Sequence, residues 1–326
     1  MTKAVILAGG YGTRLKPLTS AMPKSMIPLV NKPVIDYILD YLIGYGLKEI
    51  VITTNYLREK TINYLSSRRK DLKIEYPEEP SPLGTAGSLK NAGITERTVV
   101  IQGDNITEID IGKVMKFHRV HEGLVTIALL PVPNPSLYGI AEIESTGTDT
   151  GTGTGMITSF KEKPAPAACF SNLANTGLYI IEPEAMERVP DGKAFDFARD
   201  LFPMLVQEKE VYGCVVDGFW MDVGSLEGYI EATRWILEKK GGGCADTAEI
   251  EDTAIYGNVA IGEYTKVEKS LIHGPAVIGD HTTLLSSKMY NSMILPHGNL
   301  DAVTLHNSVI CENALIKNEE IRDTIR

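Results

Sequence analysis

The chain has no two cysteines spaced to clasp a metal. Its four, Cys169, Cys214, Cys244 and Cys311, are scattered, without a Cys-x-x-Cys pair. That excludes the usual structural zinc patterns and fits a reduced, cytoplasmic compartment. Positive charge is also short, with 32 Lys and Arg against 42 Asp and Glu and a formal net charge of −10. A nucleic-acid partner held by sequence-independent phosphate contacts is therefore not expected. Small anionic substrates remain open, because a few local cations suffice for them. No apolar run reaches the length of a membrane span, and the start enters a strand pattern without signal-peptide features. No membrane partner is expected either.

What is present is ordinary for a globular protein: 43% hydrophobic and 23% charged residues over 326 positions. That length suits two domains, each with a core of its own. The organising stretch is Val5-Ile6-Leu7-Ala8-Gly9-Gly10-Tyr11-Gly12-Thr13-Arg14-Leu15. Its apolar start reads as a buried parallel strand, because glycines follow at once. Glycines there permit positive φ and leave backbone N–H groups bare enough to approach an anion. Arg14 and Lys24 add two cations near the same strand end, so a phosphate-rich ligand is the natural occupant.

Further on, β-rich runs alternate with helical spacings. Strands are expected at 49–54, 72–76 and 99–102, and helices at 33–42, 57–65 and 88–92, with Pro33 opening the first helix. This alternation implies a parallel sheet with helices on both faces, whose ligands bind beyond the carboxyl ends of the strands. After a helix near 110–121 the pattern becomes more strand-rich, with runs at 124–130, 138–143, 156–160, 175–180 and 211–215. Residues 147–155 are a Gly/Thr-rich low-complexity stretch, read as a hairpin tip. Helices at 196–207 and 225–237 close the first domain, the latter with a suitable N-cap serine.

Gly241-Gly242-Gly243 is a hinge-like linker, dividing a domain 1–240 from a domain 241–326. Past it, apolar residues recur every six: Ile255, Ile261, Val267, then Ile272, Ile278, Leu284, and later Val303, Val309, Leu315, Ile321. That is a hexapeptide signature of a short β-solenoid. So few coils need packing against something else.

Two familiar phosphate motifs fail. Gly10-x-Gly12 lacks the third glycine of a dinucleotide fingerprint, and Thr53-Thr54-Asn55 offers no acid for a ribose; Gly12-Thr13-Arg14 lacks the Gly-Lys-Ser/Thr of a Walker loop. What survives is a glycine loop with two cations, plus Asp104 and Asp222 at expected strand ends and Lys163 as a third cation. Two carboxylates facing a phosphate loop suit Mg²⁺ shared with substrate phosphates. His118 and His121, at i and i+3, read as a solvated helix face, since no further metal ligand is evident.

The chain resembles the sugar-1-phosphate nucleotidyltransferases, or nucleotide-sugar pyrophosphorylases. The resemblance rests on Leu7 to Leu15, Pro23-Lys24, Asn31-Lys32-Pro33, Pro82-Leu83-Gly84-Thr85-Ala86, Gly103-Asp104, Glu162-Lys163-Pro164, Asn175-Thr176-Gly177 and Gly218-Phe219-Trp220-Met221-Asp222-Val223-Gly224. It implies an α/β fold, with a Rossmann-like, mixed and mostly parallel sheet flanked by helices, and a short C-terminal left-handed β-helix. It also implies attack of a sugar 1-phosphate on the α-phosphorus of a nucleoside triphosphate, with pyrophosphate leaving; positioning and charge stabilisation carry the rate. By the same resemblance Leu7, Gly9, Gly10, Gly12, Thr13, Glu79, Gly84 and Thr85 surround the nucleotide. Arg14 and Lys24 neutralise the departing pyrophosphate, and Asp104 and Asp222 hold Mg²⁺. Lys163 binds the sugar phosphate, with Gly139, Glu162, Asn175 and Thr176 around the sugar.

Glu79 stands where pyrimidine-using relatives place a glutamine. A carboxylate only accepts hydrogen bonds, which matches the adjacent N1–H and 2-amino donors of guanine. With the neighbouring motifs, this looks most like the GDP-mannose pyrophosphorylase branch, using GTP and mannose 1-phosphate; thymidylyl or uridylyl transfer to glucose 1-phosphate is the alternative. His273, His281, His297 and His306 in the tail also invite a hexapeptide acyltransferase reading, for which the tail is short. A regulatory paralogue that binds nucleotide sugar without turnover is disfavoured by the presence of Arg14, Lys24, Asp104, Lys163 and Asp222 together. A homo-oligomer, dimer or tetramer, is expected.

Overall fold

A continuous apolar run is buried on both faces only inside a parallel sheet, and there lies the strand Lys3–Leu7, with Ala4, Val5 and Ile6 fully buried. The computed structural model describes residues 3–79, 81–145 and 153–326. The chain forms two compact units, one of Met1–Gly10 with Ile38–Trp220 and one of Tyr11–Tyr37 with Met221–Arg326.

The first unit is a nine-stranded mixed sheet flanked by helices. Its order runs Lys73–Glu75, Glu49–Thr53, Lys3–Leu7, Thr98–Gln102, Leu173–Ile181, Val125–Pro131, Val211–Val215, Thr154–Glu162 and Gly139–Ser145. The first four strands are parallel, as the strand–helix alternation requires. Leu173–Ile181 then joins antiparallel to Thr98–Gln102, and the rest builds on by hairpins and one parallel pairing. Of the Gly/Thr-rich stretch, residues 147–152 lie outside those described; Thr154 begins a strand paired antiparallel to Gly139–Ser145.

Several elements differ from their expected form. Pro33 ends a short strand paired with Pro28, and the helix runs Val34–Gly44. The helix expected over 196–207 is split: Phe197–Leu201 is a π-helix and Phe202–Gln207 an α-helix, with Pro203 in the first turn of the latter, where its missing N–H costs nothing. The helix Ile111–His118 is capped by Asp110, whose carboxylate accepts from Gly112 N and Lys113 N. His118 is not on a solvated face. It is 1% exposed, with Nδ1 2.8 Å from Thr126 Oγ1 and Nε2 3.0 Å from Glu182 Oε1. His121 stacks on Tyr212 at 3.7 Å and also reaches Thr126 Oγ1, at 2.9 Å.

In the second unit, the helix Leu226–Lys240 follows the N-cap Ser225, whose Oγ accepts from Gly228 N. Beyond it lie three five-stranded parallel sheets, the walls of a coil with the stacking expected of a left-handed β-helix. Inside stack Ile261, Val267, Ile272, Ile278, Leu284, Met289, Ile294, Leu300, Leu305, Ile310, Ile316 and Ile321. The repeat is shorter than three hexapeptides. Equivalent positions lie 17 residues apart between Ser270 and Ser287 and 16 apart between Ser292 and Ser308. Some sides therefore hold five residues, and the strict six-residue count slips. Leu315, expected inside, is 72% exposed, and Ile316 takes its place at 4%. Ile255 has the inward register but lies on an end strand, paired on one side only, and is 37% exposed.

Buried hydroxyls tie coil to coil: Ser270 Oγ accepts from Ser287 N, and Ser287 Oγ from Val303 N. Corners turn through left-handed residues such as Asn291, Asn307 and Asp323, whose side chains bond in a column. The tail histidines also form columns: His273 and His306 stack with Tyr256 and Tyr290, and His281 and His297 with Tyr264. Among the described residues no helix is long and apolar enough to cross a membrane.

Burial, before any charge effect, lowers the proton affinity of His118 and brings that of His121 down to about 4. An unfolded histidine protonates near 6.5, so below that pH the unfolded chain binds more protons. The stability these two contribute is complete above about pH 6.5 and is lost progressively as pH falls towards 4. The fall in melting temperature between pH 7 and pH 5 should accordingly be smaller in His121→Phe than in the wild type; an unchanged difference would contradict the burial of a neutral imidazole.

Candidate active site

Neighbouring parallel strands of the first unit finish in line, Leu7 pairing with Thr53 on one side and Gln102 on the other. Ala8 N donates to Thr53 O at 2.8 Å and Gly103 N to Leu7 O at 2.9 Å. A Cβ on Gly103 would lie 2.9 Å from that of Ala8. Glycine there lets the strand end close on the loop, and the half-buried Asp104 emerges one residue later. Leu7 itself is buried, so what it can offer a ligand is backbone. Gly9 and Gly10 are not in the left-handed region, and nothing lies within 4 Å of a Cβ on either. They keep the loop bare, and the positive φ expected of the loop falls to Gly12 alone (φ 61).

A second group in this unit surrounds Glu162. Gly139 pairs with it across the hairpin, and a Cβ on Gly139 would meet Glu162 Oε2 at 2.6 Å. Burial pushes the Glu162 carboxyl up, opposed by Lys163 and Arg199, while Asp196 adds to the rise. Lys163 Nζ stands 3.8 Å from Glu162 Oε1, half-exposed, on a backbone with φ 42. A lysine held in that region is strained, a cost that functional sites often carry. Lys163 N donates to Tyr138 O, and the Tyr138 ring meets Trp220 edge-on at 5.0 Å. The buried indole Nε1 of Trp220 has no hydrogen-bond partner.

Asn175 accepts from Gly177 N and donates to the Tyr179 hydroxyl. Thr176 turns the other way: it is fully buried and its hydroxyl donates to Ala128 O at 2.8 Å. Its place is in the core under the strand, not around a sugar as expected.

The turn Leu83-Gly84-Thr85-Ala86 is clamped by a segment that the sequence reading did not single out. Phe195 N donates to Leu83 O, and Phe195 O accepts from Ala86 N and Gly87 N. Thr85 Oγ1 donates to Asp196 Oδ1 and accepts from Phe197 N. Gly84 has φ 70 and a Cβ there would lie 2.7 Å from Phe195 O. Glu79 is committed to the same turn, its Oε1 accepting from Leu83 N at 3.0 Å and Ser88 Oγ at 2.6 Å.

The second unit holds the other cations. Gly12 packs so that a Cβ would lie 2.7 Å from Thr19 Cγ2 and 3.3 Å from Lys24 Cβ, and Thr19 Oγ1 donates to Gly12 O. Thr13 and Arg14 follow on an exposed 3-10 turn. Lys24, its side chain 12% exposed, places Nζ 3.1 Å from Asp222 Oδ1; Arg14 Nη2 is 3.8 Å from Asp222 Oδ2. Gly224 makes room, since a Cβ on it would meet Arg14 Nη2 and both Asp222 oxygens within 2.8 Å. One carboxylate thus faces two cations, beside a loop of bare backbone. Such a set can bind phosphate oxygens, or share a divalent cation with them.

Comparison with known proteins adds a family. Residues 3–239 match the family described as nucleotidyl transferase. The chain is 34% identical over 256 residues to a UTP–glucose-1-phosphate uridylyltransferase of Synechocystis sp., covering 73% of this chain and 64% of that one. It is 34% identical over 245 residues to mannose-1-phosphate guanylyltransferase 1 of Arabidopsis thaliana, covering 72% of this chain and 65% of that one. In both, the match spans less than two thirds of the relative's length. A UDP-glucose pyrophosphorylase from Acinetobacter baumanii shares the fold, with TM-score 0.64 at 21% identity over 74% of this chain and 95% of that one.

Gly84→Ala should lower the unfolding free energy by roughly 1–3 kcal/mol, through a left-handed alanine pressed on the Phe195 backbone. Denaturant melts would measure it, and an unchanged midpoint would contradict the clamp.

Proposed function

Because the chain belongs to the nucleotidyl transferase family, we propose that it transfers a nucleoside monophosphate from a triphosphate to a sugar 1-phosphate, releasing pyrophosphate. The observation that carries this reading is Asp222 between Lys24, at 3.1 Å, and Arg14, at 3.8 Å, in the unit that also holds Gly12. In this reading Lys24 and Arg14 bear on the pyrophosphate as it leaves, where negative charge gathers and fixed cations need no reorganisation. Lys163 takes the phosphate of the sugar. Glu162 and Asn175 accept from sugar hydroxyls over the bare Cα of Gly139.

Asp104 and Asp222 are the residues that would hold Mg²⁺. The donor set fits, since Mg²⁺ characteristically takes one or two carboxylates and completes its shell with phosphate oxygens and water. When bound, it would supply charge neutralisation at the α-phosphate. Residues 1–240 carry the transferase function in this reading and 241–326 are its β-helix extension. A cytoplasmic location and a dimeric or tetrameric assembly complete the proposal; all four cysteines are free.

GTP and mannose 1-phosphate are the favoured pair. The Arabidopsis relative bears that name, and Glu79 retains a carboxylate oxygen, Oε2, beyond the one that fastens the turn. The Synechocystis relative, named for UTP and glucose 1-phosphate, supports uridylyl transfer as the second reading.

A panel of triphosphates and sugar 1-phosphates with Mg²⁺, read by pyrophosphate release, tests both. GTP should outcompete UTP and dTTP, with Glu79→Gln narrowing the gap, since the amide oxygen can still fasten the turn. A wild-type preference for UTP or dTTP would sink the guanylyl assignment. Asp104→Ala and Asp222→Ala should each abolish turnover; a near wild-type rate in either would refute its assignment to the metal.

A further inference from the structure

The segments bearing Lys24 and Asp222 are far apart in sequence, and one buried hydroxyl joins them. Tyr229 lies in the first turn of the helix Leu226–Lys240, a few residues after Asp222, and is 2% exposed. Its hydroxyl donates to the carbonyl of Pro28 at 2.6 Å. Pro28 follows directly on the turn Lys24–Met26, in which Ile27 N donates to Lys24 O. At the other end, Tyr229 N donates to Ser225 O, and Gly228 packs without a side chain against the backbone of Asp222. The helix start therefore carries Asp222 on one side and grips the Lys24 segment on the other.

The gripped strand is under tension. Pro28–Leu29 pairs with Lys32–Pro33 through a turn of Val30 and Asn31, at φ 47 and 60. A β-branched valine in the left-handed region is an outlier that persists only when its surroundings over-determine it. Both carbonyls of this strand are held by tyrosines, Pro28 O by Tyr229 and Leu29 O by Tyr37. Burial raises the Tyr229 phenol further out of ionising range, with Cys311 and then Tyr37 as lesser causes. It is a permanent donor.

We propose that Tyr229 is a positioning residue for the transfer reaction: its hydrogen bond to Pro28 sets the separation of Lys24 Nζ and the Asp222 carboxylate. The proposal rests on the transferase reading above for its kinetic consequence, but not for its structural one. Tyr229→Phe keeps the ring and its packing and removes only the donor, which leaves a buried carbonyl unpaired.

Two measurements test it. In pyrophosphate-release assays Tyr229→Phe should lower kcat by about tenfold, the size of one lost charge-setting contact, with KM for either substrate within twofold. In a Lys24→Ala background the same substitution should have no further effect. An equal loss in that background, or a change confined to KM, would overturn the proposal. Independently of turnover, the NMR signal of ¹³C-methylated Lys24 should move in Tyr229→Phe towards its position in Asp222→Ala. An unmoved signal overturns the positioning role even if activity falls. A wild type inert to every triphosphate overturns the transferase reading instead, and the Lys24 signal then decides the part of Tyr229 by itself.

Discussion

A carboxylate with less than a third of its side-chain surface in water needs positive partners close by, and Asp222, at 30% exposure, has two. Much of the second unit serves that arrangement. Gly12 turns left-handed against Thr19 and Lys24, Gly224 leaves the space a methyl would fill, and the helix start closes on Asp222. The Lys24 ammonium, largely out of water, is the costlier charge to hold and the one whose place matters most. An anion entering beside this pair meets positive charge already paid for in desolvation.

The first unit solves a different problem, that of presenting backbone without obstruction. Parallel strands ending level expose their last residues together, and glycines at 9, 10 and 103 keep that edge clear. The Gly84 turn is made stiff by Phe195 and Asp196, and Lys163 is held in a strained backbone beside Glu162. In each case a small residue or a strained one stands where regular structure ends.

The local part of this was legible in the sequence. The strand Lys3–Leu7, the glycine loop, Arg14, Lys24, Asp104 and Asp222 declare themselves by composition and spacing, and the mixed sheet and the coil follow from periodicity. What was hidden depends on partners far along the chain. Thr85 and Asp196 are 111 residues apart and Tyr229 and Pro28 201 apart; neither contact leaves a local pattern. Thr176 sat inside a motif, yet its hydroxyl belongs to Ala128. His118 and His121 looked like a wet helix face because Thr126, Glu182 and Tyr212, which cover them, come from other elements. In the tail the hexapeptide count named most of the interior but misassigned Leu315, because a five-residue side is invisible until the coils are stacked.

That mixture of five- and six-residue sides bears on how the protein can vary. In a flat sheet a one-residue slip exchanges the buried and exposed faces of the whole strand. In this coil the left-handed corners separate each side from the next, and the rows 16 and 17 residues apart already coexist in one stack. A residue gained or lost at a corner changes one side only, and the inward column resumes on the following wall. The tail is thus a part of the chain whose length can drift without rewriting its interior, whereas the sheet of the first unit has no such slack.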